Sequence, residues 1–217
     1  MAKLYFRYGA VGSAKTLNLL AVAHAYQQQQ KQAFLMKPSI DTRFGERTIR
    51  SRAGLSREAD LLVDAASLSA TALRSMDFSD YHCILVDEAQ FLSPEAIDQL
   101  RDVTREQGIP VICYGLRTDF RRRLFAGSQR LMELADAIEE IKTTCAYCNR
   151  KAIFNLKLVD GVPSLAGPTV DLGAEEKYLP TCCLCYEKAF DGGQKSEPLP
   201  LTSPVRTAGD ETTRAAP

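Results

Sequence analysis

The chain has 217 residues, 45% of them hydrophobic and 25% charged, with 27 Lys plus Arg set against 27 Asp plus Glu. That length suits one medium α/β domain with a small appendage, and the composition is that of a globular chain able to bury a core. A formal net charge of zero excludes the global positive field that draws a chain to nucleic acid or anionic membranes.

The opening Met1-Ala2-Lys3-Leu4-Tyr5-Phe6-Arg7 lacks the apolar stretch of a secretory signal, and no 18-residue apolar run follows, so a cytosolic protein without a membrane span is expected. In that compartment seven cysteines read as thiols or metal ligands rather than disulfides. Residues 4–8 form an apolar and aromatic run, a buried strand, followed by a glycine-containing turn and a helix over 15–30. Residues 33–36 are a second strand closed by Pro38. The polar, arginine-rich stretch 39–60 is a loop or a small hairpin, 61–63 a third strand, and 67–74 a short helix.

Residues 83–86 are continuously apolar and end in Asp87-Glu88, which reads as a central parallel strand buried on both faces. Ser93-Pro94-Glu95 is a helix start: Ser caps, Pro occupies the first turn, and Glu favours the positive end of the helix dipole. Ile97, Leu100 and Val103 repeat at helical spacing until Gly108. Residues 111–114 are another buried strand, closed by Gly115. Strands alternating with helices imply a parallel sheet with right-handed crossovers. The expected fold is thus α/β, a parallel sheet flanked by helices over residues 1–142, and the loop Gly9-Ala10-Val11-Gly12-Ser13-Ala14-Lys15-Thr16 after the first strand makes it of the P-loop (RecA-like) type. A zinc-binding C-terminal module follows at 143–190, then a disordered tail at 191–217 rich in Gly, Ser, Pro, Thr and Ala.

Gly9-Ala10-Val11-Gly12-Ser13-Ala14-Lys15-Thr16 follows the first strand and opens the first helix. It nearly matches the pattern in which loop N–H groups and a helix N-terminus cradle phosphates. In that reading Lys15 adds a point charge and the Thr16 hydroxyl binds Mg²⁺. Ala14 stands where the pattern has its second glycine, so its methyl crowds a phosphate or carries the strain of a positive φ. The plain alternative is a turn with a surface lysine. Asp87-Glu88, at a strand end beside such a loop, supplies an Asp for Mg²⁺ and a Glu able to take a proton from an attacking hydroxyl. Ligands of open parallel sheets bind beyond the strands' carboxyl ends, so both motifs are expected to converge there. The alternative is a solvated acidic turn.

Cys145-Ala146-Tyr147-Cys148 and Cys182-Cys183-Leu184-Cys185 form two C-x₂-C pairs separated by 33 residues. Two such pairs supply the four thiolates of a closed, structural zinc site. The gap exceeds the usual spacing of about 15 to 20, so a long loop leaves and returns between them. Cys182 is preferred over Cys183 because it keeps the x₂ spacing to Cys185, although Cys183 is an alternative ligand. Reduced free cysteines are the plain reading. Cys83 and Cys113 lie inside strands and are expected in the core.

Taken together these segments resemble the thymidine kinases of the compact, zinc-containing type found in many bacteria and in animal cytosol. The resemblance runs from Lys3 to about Ala189. It rests on the phosphate loop, Asp41-Thr42-Arg43-Phe44, Ser51-Arg52-Ala53-Gly54-Leu55, Asp87-Glu88-Ala89-Gln90-Phe91, Tyr114-Gly115-Leu116-Arg117-Thr118-Asp119-Phe120, and both cysteine pairs, with Glu176-Lys177-Tyr178 before the second. It implies phosphoryl transfer from ATP to the 5′-hydroxyl of thymidine, or of deoxyuridine. Glu88 is the implied general base. Gly9, Gly12, Ser13, Ala14, Lys15, Thr16, Asp41, Arg43, Asp87, Glu88 and Gln90 are implied around the ATP phosphates and Mg²⁺. Phe91, Leu116, Phe120, Phe125, Asn155, Val170, Gly173 and Tyr178 are implied around the nucleoside, and Cys145, Cys148, Cys182 and Cys185 around Zn²⁺. The loop between the cysteine pairs is similar to the family's "lasso" over the base. A homotetramer inhibited by dTTP is implied as well. The stretch Val170-Asp171-Leu172-Gly173-Ala174 departs from the family in carrying one glycine instead of two, and a polar Asp171.

Two other classes compete. One is a zinc-containing P-loop ATPase acting on nucleic acid, supported by Arg121-Arg122-Arg123, a run that zero net charge favours reading as a solvated loop. The other is a catalytically impaired nucleotide-binding protein, supported by Ala14.

Overall fold

The computed structural model describes residues 1–64, 72–169 and 178–191. The central sheet contains β1 (Leu4–Tyr8), β2 (Ala33–Pro38), β5 (Leu61–Val63), β6 (Cys83–Val86), β7 (Val111–Gly115) and β8 (Ala137–Glu140). Its strand order is β5-β2-β6-β7-β1-β8, and every neighbouring pair is parallel. The strands alternate their side chains between two apolar layers, as the period of two requires. Phe34, Met36, Ile84, Val86, Val111 and Cys113 face one layer, while Leu35, Cys83, Leu85, Ile112 and Tyr114 face the other. α2 (Pro94–Glu106) covers the first layer with Ala96, Ile97, Leu100 and Val103. α1 (Lys15–Gln28) covers the second with Leu19, Leu20 and Ala23.

The start of α2 follows from its sequence. Ser93 Oγ accepts the Ala96 N–H at 3.2 Å and Pro94 sits in the first turn. Gly108, at φ +70°, releases the chain toward β7. Residues 39–60 contain an antiparallel hairpin, β3 (Thr48–Arg50) with β4 (Ser56–Glu58). Most of the helix expected at 67–74 falls outside the described residues. Leu73 and Arg74 lie in a turn whose Leu73 N–H is held by Gln99 Oε1 at 2.8 Å.

Two elements go beyond the sequence expectation. α3 (Ala126–Leu134) packs against a single 3₁₀ turn, Ala89–Phe91, and β8 adds a half-exposed edge strand beside β1. β8 reads Ala-Ile-Glu-Glu and lacks the two-sided apolar run of an interior strand; parallel pairing with β1 recruits it. α3 lies so close to the 3₁₀ turn that a Cβ on Gly127 would stand 2.6 Å from the Leu92 carbonyl oxygen and 2.7 Å from that of Ala89. Backbone cannot yield as a flexible side chain can. Gly127→Ala is therefore expected to cost about 1–3 kcal/mol. At about 2–4 °C per kcal/mol for a chain of this size, thermal unfolding monitored by circular dichroism shifts down by several degrees.

Beyond residue 142, β9 (Phe154–Val159) pairs antiparallel with β10 (Val162–Pro163) and with β11 (Tyr178–Thr181). α4 (Cys183–Phe190) follows, a helix not foreseen from its eight residues. The arginine run requires a correction. Arg121 is no free surface cation: its guanidinium donates to the carbonyls of Leu165 and Gly167 and lies 4.7 Å from the Phe120 ring centroid. Arg122 sits over the rings of Tyr186 and Phe154, and the Tyr186 hydroxyl donates to the Phe120 carbonyl. Arg121 and Arg122 thus tie the loop after β7 to the C-terminal module, while Arg122 and Arg123 stay exposed as a solvated loop would have them. The tail from residue 192, and Val170 and Gly173, lie outside the described residues.

Candidate active site

Because all six sheet strands are parallel, their carboxyl ends share one edge. There β1 runs into residues 9–16, β2 into Asp41 and Arg43, β6 into Asp87 and Glu88, and β7 into Leu116. Gly9 permits a close approach, since a Cβ there would meet Ser13 Oγ and the Ile141 carbonyl oxygen. Gly12 and Ala14 both take left-handed backbone conformations, at φ +75° and +62°. For alanine that conformation costs about 1–2 kcal/mol. The loop thus has the glycine-type bend at position 14 without the glycine. Ala14→Gly is expected to raise the melting temperature by a few degrees and to leave ATP affinity equal or better, as differential scanning fluorimetry and an ATP titration would read.

Lys15, only 8% exposed, donates from Nζ to the carbonyls of Ala10 at 2.9 Å and Gly9 at 3.2 Å, and to Ser13 Oγ at 3.4 Å. Thr16 Oγ1 donates to Asp87 Oδ2 at 3.1 Å, closing a separation of 71 residues in the chain. The loop and the acidic pair therefore face each other.

A chain of ion pairs runs along the same edge. Lys37, buried in β2, reaches Asp41 Oδ2 at 3.3 Å and the Thr48 carbonyl at 3.0 Å. Asp41 Oδ1 accepts Arg43 Nε at 2.7 Å, and Arg43 Nη2 donates to Glu88 Oε1 at 2.6 Å. Gln90 Nε2 donates to Glu88 Oε2, and Gln90 Oε1 accepts the Leu116 N–H at 3.0 Å. Glu88 is itself left-handed, at φ +49°, so its carboxylate is fixed both by backbone and by partners.

The two acids are driven apart in basicity. Burial, and then the neighbouring Glu88 charge, push Asp87 up to about 7. Burial would also raise Glu88, but Arg43, Lys15 and the Gln90 bond outweigh it and hold Glu88 below the usual carboxylate range. Asp41 is likewise lowered, burial being outweighed by Arg43 and Lys37. An Asp carrying excess buried negative charge, with a Thr hydroxyl beside it, fits a divalent cation.

These groups border a cleft of about 450 Å³, a size suited to a small molecule. Val11 through Leu17 line it, with Glu88 and Gln90. Phe91, Leu116, Phe120, Phe125 and Tyr178 line it too, and Asn155 does so bonded to Val11. Phe91 and Phe125 meet edge to face with centroids 5.7 Å apart, and Phe120 stands 6.2 Å from Tyr178. Gly9, Asp41 and Asp87 do not reach the cleft wall; they stand behind it and hold the residues that do.

Sequence reasoning assigned no role to Phe44, to residues 50–53 of the β3–β4 turn, or to Thr118, Asp119 and Thr169, all of which line the cleft. It also passed over Lys37, whose signal was available: a lysine inside the apolar run Phe34-Leu35-Met36-Lys37 needs a buried acid.

The Sγ atoms of Cys145, Cys148, Cys182 and Cys185 all lie within 4.8 Å of one another. Cys148 Sγ is 3.7 Å from those of Cys182 and Cys185. Four thiolates at about 2.3 Å from a tetrahedral zinc stand about 3.8 Å apart, so this donor set fits Zn²⁺. Cys183 is exposed, turned away toward Glu187. The structure therefore places Cys182 in the cluster.

A glycine-bearing loop that opens a helix at the carboxyl edge of a parallel sheet, bonded to a buried acidic pair beside a small-molecule cleft, is the layout of the P-loop class, which includes phosphotransferases. A family model described as thymidine kinase matches residues 2–186. A protein named thymidine kinase from Lactiplantibacillus plantarum is 43% identical over 182 residues, covering 84% of this chain and 94% of the relative. Those of Lactococcus lactis subsp. lactis and Streptococcus gordonii are each 42% identical over 188 residues, covering 87% of this chain and 98% and 97% of theirs. The chain belongs to the thymidine kinase family. Membership does not favour the nucleic-acid ATPase.

Proposed function

We propose that this protein transfers the γ-phosphoryl group of ATP to the 5′-hydroxyl of thymidine, giving dTMP and ADP. The observation that carries the reading is the Thr16–Asp87 contact of 3.1 Å, which joins phosphate loop and acidic pair beside an aromatic-lined cleft. The polyphosphate lies along residues 12–16, where loop N–H groups and the α1 dipole oppose its charge. To engage it, Lys15 exchanges its carbonyl contacts for phosphate oxygens. Thr16, with Asp87 bonded behind it, would hold Mg²⁺, which would neutralise part of the phosphate charge.

The base lies among Phe91, Phe125, Phe120 and Tyr178, with Leu116 beneath. The 5′-hydroxyl then points to Glu88. Glu88 stays ionised because Arg43 and Gln90 hold it. It orients the hydroxyl and takes its proton as the new P–O bond forms and the bond to ADP breaks. Positioning and charge neutralisation supply most of the rate.

Zn²⁺ on the four cysteines is structural, because a closed Cys₄ site leaves no open coordination position. It anchors β11 and α4, and with them Tyr178. Inhibition by dTTP and a homotetramer rest on the family resemblance, and a cytosolic location on the sequence expectation.

Phosphorylation of a nucleoside panel with ATP and Mg²⁺, with zinc measured on the same sample, tests the proposal. Thymidine-dependent ADP and dTMP in equal amounts, with one zinc per chain, is the expected result. ATP hydrolysis indifferent to thymidine would reject it.

A further inference from the structure

Asn155 is one of the positions the family resemblance puts at the nucleoside, yet its amide is engaged elsewhere. The side chain projects from β9, lines the cleft and is 4% exposed. Its Oδ1 accepts the Val11 N–H at 2.8 Å, across 144 residues of chain. Its Nδ2 donates to the Thr118 carbonyl at 3.1 Å. The partners settle the orientation of the amide, because a backbone N–H can only face the oxygen and a carbonyl can only face the NH₂.

Val11 is the outer bend of the phosphate loop. The next three positions include both left-handed residues, Gly12 and Ala14. A loop carrying a left-handed alanine relaxes unless its surroundings hold it. On its inner side Lys15 and the Ser13 N–H bind the Ala10 carbonyl. On its outer side Asn155 binds Val11. Asn155 also stands opposite Pro180 in the β9–β11 register, two residues before Cys182. The Ala146 N–H donates to the Pro180 carbonyl at 2.8 Å, so the first cysteine pair is joined to the same strand.

We infer that Asn155 is a positioning residue for the phosphate loop, through which the cysteine-bearing sheet sets the geometry of the ATP site. The nucleoside-side module thereby contributes to nucleotide affinity without touching the nucleotide. The inference rests on the reading of residues 9–16 as the ATP cradle.

The test measures ATP and thymidine KM and zinc content for Asn155→Ala, Asn155→Asp and Lys15→Ala in the full chain. Asn155→Ala removes both bonds and is expected to raise the ATP KM about tenfold with zinc retained. Asn155→Asp keeps the acceptor for the Val11 N–H and is expected to hold the ATP KM within about threefold of the parent. An ATP KM within twofold of the parent in Asn155→Ala, with thymidine KM alone raised, would overturn the inference and leave Asn155 as a nucleoside contact. Should the alanine variant not fold, Asn155→Asp decides: a tenfold rise in ATP KM contradicts the role given to the Val11 bond. Lys15→Ala separates the two levels. If it leaves ATP KM unchanged, the cradle reading itself fails. If it raises ATP KM and Asn155→Ala does not, only the present inference fails.

Discussion

Glu88→Gln lowers the turnover of thymidine phosphorylation by about 10²-fold or more, the usual scale for a general base, while ATP affinity stays within about twofold. The amide is isosteric with the carboxylate and its oxygen can still accept from Arg43 at 2.6 Å, but its NH₂ then faces the Gln90 NH₂, so the bond from Gln90 is lost. What it loses is the ability to take a proton. The substitution also removes the charge that pushes Asp87 upward, so Asp87 becomes easier to ionise. Arg43 keeps its 2.7 Å bond to Asp41 and is not stranded. Relief of the charge on Asp87 offsets the lost Gln90 bond, so stability is expected to change by about 1 kcal/mol or less, and a thermal scan run beside steady-state kinetics separates loss of chemistry from loss of fold. Turnover equal to the parent's would remove Glu88 from the reaction.

Cys148→Ser abolishes thymidine phosphorylation with the central sheet still folded. Cys148 Sγ stands 3.7 Å from both Cys182 and Cys185, so the serine takes away one of four donors from the middle of the cluster. Structural zinc in small modules contributes about 10–16 kcal/mol to their folding, and a site short of one thiolate forfeits much of it. The β9–β11 sheet buries little apolar surface of its own: Leu156, Ala152 and Tyr186 are its buried non-cysteine apolar side chains among the described residues. Without zinc it has too little core to persist. Tyr178 and the Asn155 bond to the phosphate loop go with it. The expected readings are zinc falling from one per chain to near none, activity lost by about 10²-fold or more, and most helical circular dichroism retained, since α1, α2 and α3 pack with the central sheet. Full activity in a zinc-free Cys148→Ser protein would contradict the role given to the module.

What the sequence made legible has a common physical cause. Residues 9–16, Asp87-Glu88 and the two C-x₂-C pairs are local patterns whose residue types are dictated by phosphate, cation and thiolate chemistry. β2, β6 and β7 were legible because interior parallel strands are apolar on both faces. β8 and α4 were not. Ala137–Glu140 has no buried apolar face, with Ile138 and Glu139 both exposed, and becomes a strand only by pairing with Tyr5 through Tyr8. Cys183–Phe190 is too short to show a helical period, and its N-terminus is set by the cysteine cluster.

The same distinction holds within the cleft. Phe91 could be named from a motif and Phe125 from the family resemblance, but their edge-to-face contact depends on α3, which Gly127 lets settle against the 3₁₀ turn. Lys37, Arg121 and Asn155 act through bonds to backbone carbonyls or N–H groups far away in the chain. No periodicity or spacing announces such bonds. Arg121 illustrates the cost: composition made it a solvated cation, whereas its geometry makes it a clamp on residues 165–169. Ala14 is the converse case, a local departure whose consequence, a left-handed alanine at φ +62°, was legible before the fold.

The central claim is that residues 12–16 hold the phosphates and Glu88 meets the nucleoside hydroxyl in one continuous cleft. A crystal structure with a bisubstrate analogue, thymidine and adenosine joined through their 5′-oxygens by a chain of phosphates, tests it most directly. The account predicts phosphates against the N–H groups of residues 12–16, Lys15 Nζ turned onto them, and the thymidine 5′-oxygen within hydrogen-bond reach of Glu88. Phosphates bound away from that loop, or a thymidine 5′-oxygen on the far side of Phe91 from Glu88, would contradict it.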